Sequence, residues 1–189
     1  MERKSSTLKM VVLSMLVAIG VVISPILRIE GMCPMAHLIN VVAAVLLGPW
    51  YALFCATLIG VIRMMFMGIP PLALTGAVFG AALSGMLYRL SKGKLIWAVI
   101  GEVIGTGFIG SIISYPVMAV LWGRTGLTWM FYVPSFLGGT TIGSSIAFLL
   151  LLQLSKTGNL SKFQKKLGAA TYEKSQVRDS GYVEGERSC

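Results

Sequence analysis

A single histidine among 189 residues, a single aspartate and three cysteines leave little material for side-chain chemistry. The aspartate, Asp179, lies in the C-terminal tail, which excludes an intramembrane aspartate dyad and the Asp-rich metal sites of lipid-headgroup transferases. With His37 as the one histidine, no HExxH zinc motif can be written. Cys33, Cys55 and Cys189 form neither a disulfide framework nor a CxxC pair. A Walker A loop is missing too. Ahead of Gly93-Lys94, Tyr88 stands where the first glycine belongs, and Leu95 follows where Ser or Thr is required. The chain therefore carries no ATP-hydrolysing loop of its own, and no cofactor is called for.

Charge is scarce as well: 12% of residues are charged against 56% hydrophobic, with a mean hydropathy of +0.81, which places the chain in a bilayer. The net charge of +9 does not point to nucleic acid, because the basic residues sit in short blocks beside apolar runs, where they meet anionic headgroups. Several apolar stretches approach the roughly 20 residues needed to cross a membrane, and six spans are read: 10–27, 37–47, 51–67, 72–88, 95–121 and 129–154. The first begins as a secretory signal would, but it is long for an h-region and no small-x-small site follows it, so it reads as a span.

Residues 37–67 are too long for one crossing and short for two, and Gly48-Pro49 supplies a break. Charge selects the division. Two spans here keep Arg3, Lys4, Lys9, Arg89, Lys92, Lys94 and the basic tail on the cytoplasmic side, leaving Arg28 and Arg124 outside and Arg63 within the membrane. The expectation is an all-α integral membrane bundle of six helices in the cell membrane, residues 1–155, with both ends cytoplasmic and a loosely ordered polar tail over 156–189.

Small residues recur at helical spacing, as in Gly76-xxx-Gly80-xxx-Ser84, Gly101-xxx-Gly105 and Gly139-xxx-Gly143, the pattern of closely packed membrane helices. Gly105-Thr106-Gly107-Phe108-Ile109-Gly110 spells GxGxxG, but it lies inside an apolar span without the preceding strand that a nucleotide site needs, so it reads as packing.

Ionisable groups at bilayer depth cost about 2.5–3.5 kcal/mol each on insertion scales and normally face a cavity or a partner. Three stand in the spans: His37, Arg63 and Glu102. One reading makes Arg63 and Glu102 an interhelical ion pair. The other has them line a polar pocket with His37, Asn40, Thr106, Ser114 and Tyr115 around a small ligand. Glu102 and Thr106 share a stripe at i,i+4, as do His37 and Asn40 at i,i+3. Ser84 is the one conceivable nucleophile for His37, but it should sit near the inner face and His37 near the outer, separated by most of the bilayer. Trp122, Trp129 and Tyr132 are expected in the outer aromatic belt.

Three stretches together resemble a known family. Gly101-Glu102-Val103-Ile104-Gly105-Thr106-Gly107 is followed by Gly110 and Ser114-Tyr115-Pro116; His37-Leu38-Ile39-Asn40-Val41 runs into Leu46-Leu47-Gly48-Pro49-Trp50; and Phe79-Gly80-Ala81 precedes Leu87-Tyr88-Arg89. Over roughly residues 8–155 the chain is similar to the ThiW family of substrate-binding S-components of energy-coupling-factor vitamin transporters. The resemblance implies a six-helix subunit that captures hydroxyethylthiazole, or a thiamine-related ring, outside the cell. It also implies a membrane coupling protein and two ATPases as partners. A small-xxx-small patch on the first helix, here Ser14 to Ala18 with serine in place of the usual alanine, would meet the coupling protein, and the loop over 28–36 would close the pocket. A self-contained secondary transporter and an intramembrane enzyme are the competing readings.

Overall fold

The computed structural model describes residues 2–26, 32–169 and 171–172, and among them every regular element is helical. Helix α1 covers Glu2–Ile23, α2 Pro34–Leu47, α3 Pro49–Met67 and α4 Leu72–Leu90. Helix α5 runs over Leu95–Val120, α6 over Val133–Lys156 and α7 over Asn159–Leu167. Five of these, α1 and α3 to α6, are long and apolar enough to cross a membrane. The second expected span, α2, has 14 residues and is about 21 Å long.

Helix α2 touches each of the other six helices. Only Met35, Leu38 and Leu46 of its residues are not buried. It is the core of the bundle rather than one of its staves, which is why a helix too short to span the hydrocarbon is tolerated there. The break at its end is where the sequence places it. Gly48 adopts φ +91°, a conformation open to glycine, and Pro49 starts α3 at a position where its missing N–H is not needed.

Helices α4 and α5 meet through a ladder of small residues. A Cβ on Gly101 would lie 2.7 Å from Ser84 Cα, one on Gly105 2.7 Å from Gly80 Cα, and one on Gly110 3.1 Å from Gly76 Cα. On α4 the contact points are four residues apart, whereas on α5 Gly105 and Gly110 are five apart. Residues Val103–Gly110 are π-helical, and i→i+5 winding returns a residue to the same face after five positions, which keeps the two rows in register. The GxGxxG string is thus helix packing.

The tail departs from expectation over its first part. Instead of a loosely ordered segment, Asn159–Leu167 is an amphipathic helix that buries Leu160, Gln164 and Leu167 against the end of the bundle. Leu160 and Leu167 supply the apolar stripe, and Lys162, Lys165 and Lys166 the polar side. Tyr172 packs edge-to-face on Tyr88. Residues 173–189, with Asp179 and Cys189, lie outside the described residues. Lys9 Nζ donates to the Gly168 carbonyl at 3.3 Å, so the start of α1 and the end of α7 share one end of the bundle.

Candidate functional site

At the opposite end a cavity of about 490 Å³ opens where α2, α4 and α6 begin and α3 and α5 end. Cys33, Ala36 and His37 line it from the start of α2, and Arg63 from the C-terminal part of α3, four residues before its end. Ile69 and Pro70 come from the following loop, Leu72, Ala73, Gly76 and Ala77 from α4, Met118 from α5, Arg124 from the loop after it, and Phe136 from α6. Gly76 lets the Phe136 ring lie directly on α4, since a Cβ there would collide with the ring.

Beneath His37 lies a polar cluster centred on one carboxylate oxygen. Glu102 Oε1 is 2.9 Å from His37 Nδ1 and accepts from Asn40 Nδ2 at 3.0 Å and Thr106 Oγ1 at 3.1 Å. Asn40 Nδ2 also reaches the Ala77 carbonyl at 3.2 Å. Glu102 and Thr106 are fully buried, and His37 and Asn40 nearly so. With Nδ1 engaged by the carboxyl group, Nε2 is the ring nitrogen left for the cavity that His37 lines. The second oxygen, Oε2, is buried without a hydrogen-bond partner and faces Gly80, whose Cβ would lie 2.7 Å away.

Arg63 is 2% exposed. Its Nη2 donates to Cys33 Sγ at 3.3 Å, a weak acceptor, and its Nε is buried with no partner. Its backbone carbonyl accepts from the amides of Gly68 and Ile69, which close the end of α3. The ion pair considered between Arg63 and Glu102 is absent among the described residues, where the one acid–base contact is His37 with Glu102.

Seven residues were expected to line one pocket, and they divide into three groups. His37 and Arg63 face the cavity. Asn40, Glu102 and Thr106 form the braced layer under His37 and do not reach the lining. Ser114 and Tyr115 are not in the lining either: Ser114 Oγ is engaged with Thr75 Oγ1 at 2.7 Å and the Gly110 carbonyl at 2.6 Å, and Tyr115 is half-buried beside it. Ser84 lies seven residues beyond Ala77 on α4, about 10 Å along the axis. Ser84 Oγ is buried without a hydrogen-bond partner, so it does not bond to His37. Trp122 and Trp129 are exposed, whereas Tyr132, expected beside them in the belt, is buried against Met118 and Phe136.

Arg124, Met118 and Phe136 were missed as lining residues. Arg124 was visible as an isolated cation in an outer segment, but the two apolar residues carried no signal, since nothing in their spacing sets them apart from other span residues. The expected closing loop is described only from Met32 onward; Arg28 and its neighbours through Gly31 lie outside the described residues.

Ser14 and Ala18 are exposed on α1. They edge a second, apolar groove of about 480 Å³ whose other wall is Phe54, Leu58 and Ile62 of α3. The Ser14 hydroxyl is turned back onto the Met10 carbonyl of its own helix, at 2.9 Å.

No curated protein and no solved structure matches the chain. The family comparison does give a match: residues 10–157 fit the family described as thiamine-precursor transporter protein (ThiW). That stretch holds all six long or central helices, the cavity and the cluster beneath it, and the chain belongs to the ThiW family of membrane transport proteins.

Proposed function

We propose that the chain is the substrate-capture subunit of an energy-coupling-factor importer in the cell membrane. It takes hydroxyethylthiazole, the thiazole part of thiamine, into the cavity lined by His37 and Arg63. The observation that carries this reading is the position of that cavity. It opens at the end of the bundle away from Lys9, Arg89, Lys94, Lys156 and the lysines of α7, and the bias of basic residues toward the cytoplasm turns its mouth outward. Its volume of about 490 Å³ falls in the range of small-molecule sites. The ring lies against Phe136 and Met118, and the hydroxyl reaches His37 Nε2.

A transport cycle needs an energy source, and in this reading it comes from two partner ATPases joined through a membrane coupling protein, a division that the missing Walker A loop supports. The groove beside Ser14 and Ala18 is the contact for that protein, because it is apolar and the short side chains of these two exposed residues admit another helix.

Thermal unfolding of the full chain in detergent, titrated with hydroxyethylthiazole, thiamine and the pyrimidine precursor, tests the binding half. The thiazole should raise the melting midpoint in a dose-dependent way while the pyrimidine leaves it unchanged. No shift with any of the three would defeat the reading. For the coupling half, uptake in vesicles should require both ATP and the partner subunits, and uptake by the chain alone would make it a secondary transporter.

A further inference from the structure

Among the described residues, the charges that line the cavity are of one sign. Arg63 and Arg124 line it, and no aspartate or glutamate does among the described residues. Glu102, a buried carboxylate beneath the cavity, already serves His37, Asn40 and Thr106 through Oε1. The first turns of α2 and α4, which contribute Ala36, His37, Leu72 and Ala73, bring the positive ends of two helices to the same space.

Arg63 is the unusual member. A guanidinium has five N–H donors in a planar fork shaped for two oxygens of a carboxylate or phosphate. Here one donor meets a thiol sulfur, Nε meets nothing, and the side chain is 2% exposed. A buried guanidinium without a counter-charge is strongly disfavoured, so an anion arriving in the cavity would relieve the protein as well as bind to it. Hydroxyethylthiazole offers this fork only neutral acceptors, its hydroxyl and its ring nitrogen.

We infer that the cavity takes its heterocyclic guest in an acidic form, with a phosphate monoester or carboxylate seated on the Arg63 guanidinium and the ring against Phe136. The inference rests on the reading of this cavity as the substrate site, and it adds an acidic thiazole, held more tightly, to the neutral alcohol that the cavity accepts. Arg63 holds the anion, and Arg124 lies exposed at the mouth.

Binding to the full chain in detergent decides the matter, measured by calorimetry with four probes: hydroxyethylthiazole, its phosphate ester, a thiazole carboxylic acid and inorganic phosphate. At least one of the two acidic thiazoles should bind about tenfold or more tightly than the alcohol, and the probe that gains identifies the acid. Arg63→Gln should remove that advantage, so that the acidic and neutral thiazoles bind the variant within about threefold of one another. If Arg63→Gln does not fold, the wild-type chain still decides: rising chloride should weaken the acidic probes and spare the alcohol.

An alcohol that binds as tightly as both acids overturns the proposal, as does an Arg63→Gln variant that loses all thiazoles equally. Glu30 lies outside the described residues. If preference for acids appears only after Glu30→Gln, the chain supplies its own counter-charge and the proposal fails. Binding of inorganic phosphate that depends on Arg63, without binding of any thiazole, would retain the anion site and remove the thiazole reading instead.

Discussion

Gln164 donates through Nε2 to the carbonyl oxygen of Val45, 2.9 Å away. Val45 needs that donor because the residue four positions on is Pro49, which has no N–H to give. The same Nε2 lies 3.0 Å from the Tyr88 hydroxyl. A side chain from the tail thus completes the hydrogen bonding that the break between α2 and α3 leaves open.

Replacing Gln164 with Ala should therefore cost about 1–3 kcal/mol of stability, since a buried carbonyl loses its donor. The melting midpoint in detergent should fall by several degrees. Ligand stabilisation should persist, because the cavity lies at the other end of α2. A variant that keeps its midpoint but loses ligand would place α7 in the binding site.

The polar cluster predicts a pattern of coupling. His37 and Glu102 are in contact, so a double-mutant cycle of His37→Ala and Glu102→Gln should show an interaction energy of about 0.5–3 kcal/mol. Arg63 and Glu102 have different partners, so the same cycle with Arg63→Ala should come out additive within about 0.5 kcal/mol. A double variant of Arg63 and Glu102 more stable than either single one would restore the ion pair that the structure lacks.

Gly80 packs against Thr106 and against Glu102 Oε2, and a methyl group there would overlap both. Gly80→Ala should lose about 1–3 kcal/mol or more and disturb ligand binding through the cluster under His37. Gly138→Ala meets only Met32 Sδ at 3.5 Å and should be neutral or slightly stabilising, through better helix propensity. Thermal unfolding of the two variants side by side tests the contrast, and equal loss would mean that close approach of α4 and α5 is not what Gly80 provides.

On α1, Ala18→Trp should leave folding and ligand binding intact, because the position is exposed. It should abolish uptake in cells that hold the partner subunits, by blocking the groove beside Phe54 and Leu58. Normal uptake by a stably inserted Ala18→Trp protein would move the coupling contact elsewhere.

The break at Gly48-Pro49, the charge-based division of 37–67 into two helices and the small-residue faces of α4 and α5 were all legible in the chain. Each is a local property: backbone freedom, solvation of charge, or side-chain size at a fixed spacing. The chain also marked His37, Arg63 and Glu102, because an ionisable group in oil stands out against its neighbours. It did not reveal that Ser114 is used up by Thr75, nor that Gln164 in a polar tail serves a carbonyl 119 positions earlier.

Sequence alone determined that this is a membrane bundle with a few costly polar groups kept inside, because hydropathy and charge add up along the chain without reference to partners. The tertiary structure decided which of those groups meet. Glu102 goes to His37, Asn40 and Thr106, and Arg63 is left facing a cavity. Pairing between helices depends on their rotation and depth, and here the π-helical turn in α5 and the close approach at Gly80 set both. A residue's own neighbours in the chain carry no record of that.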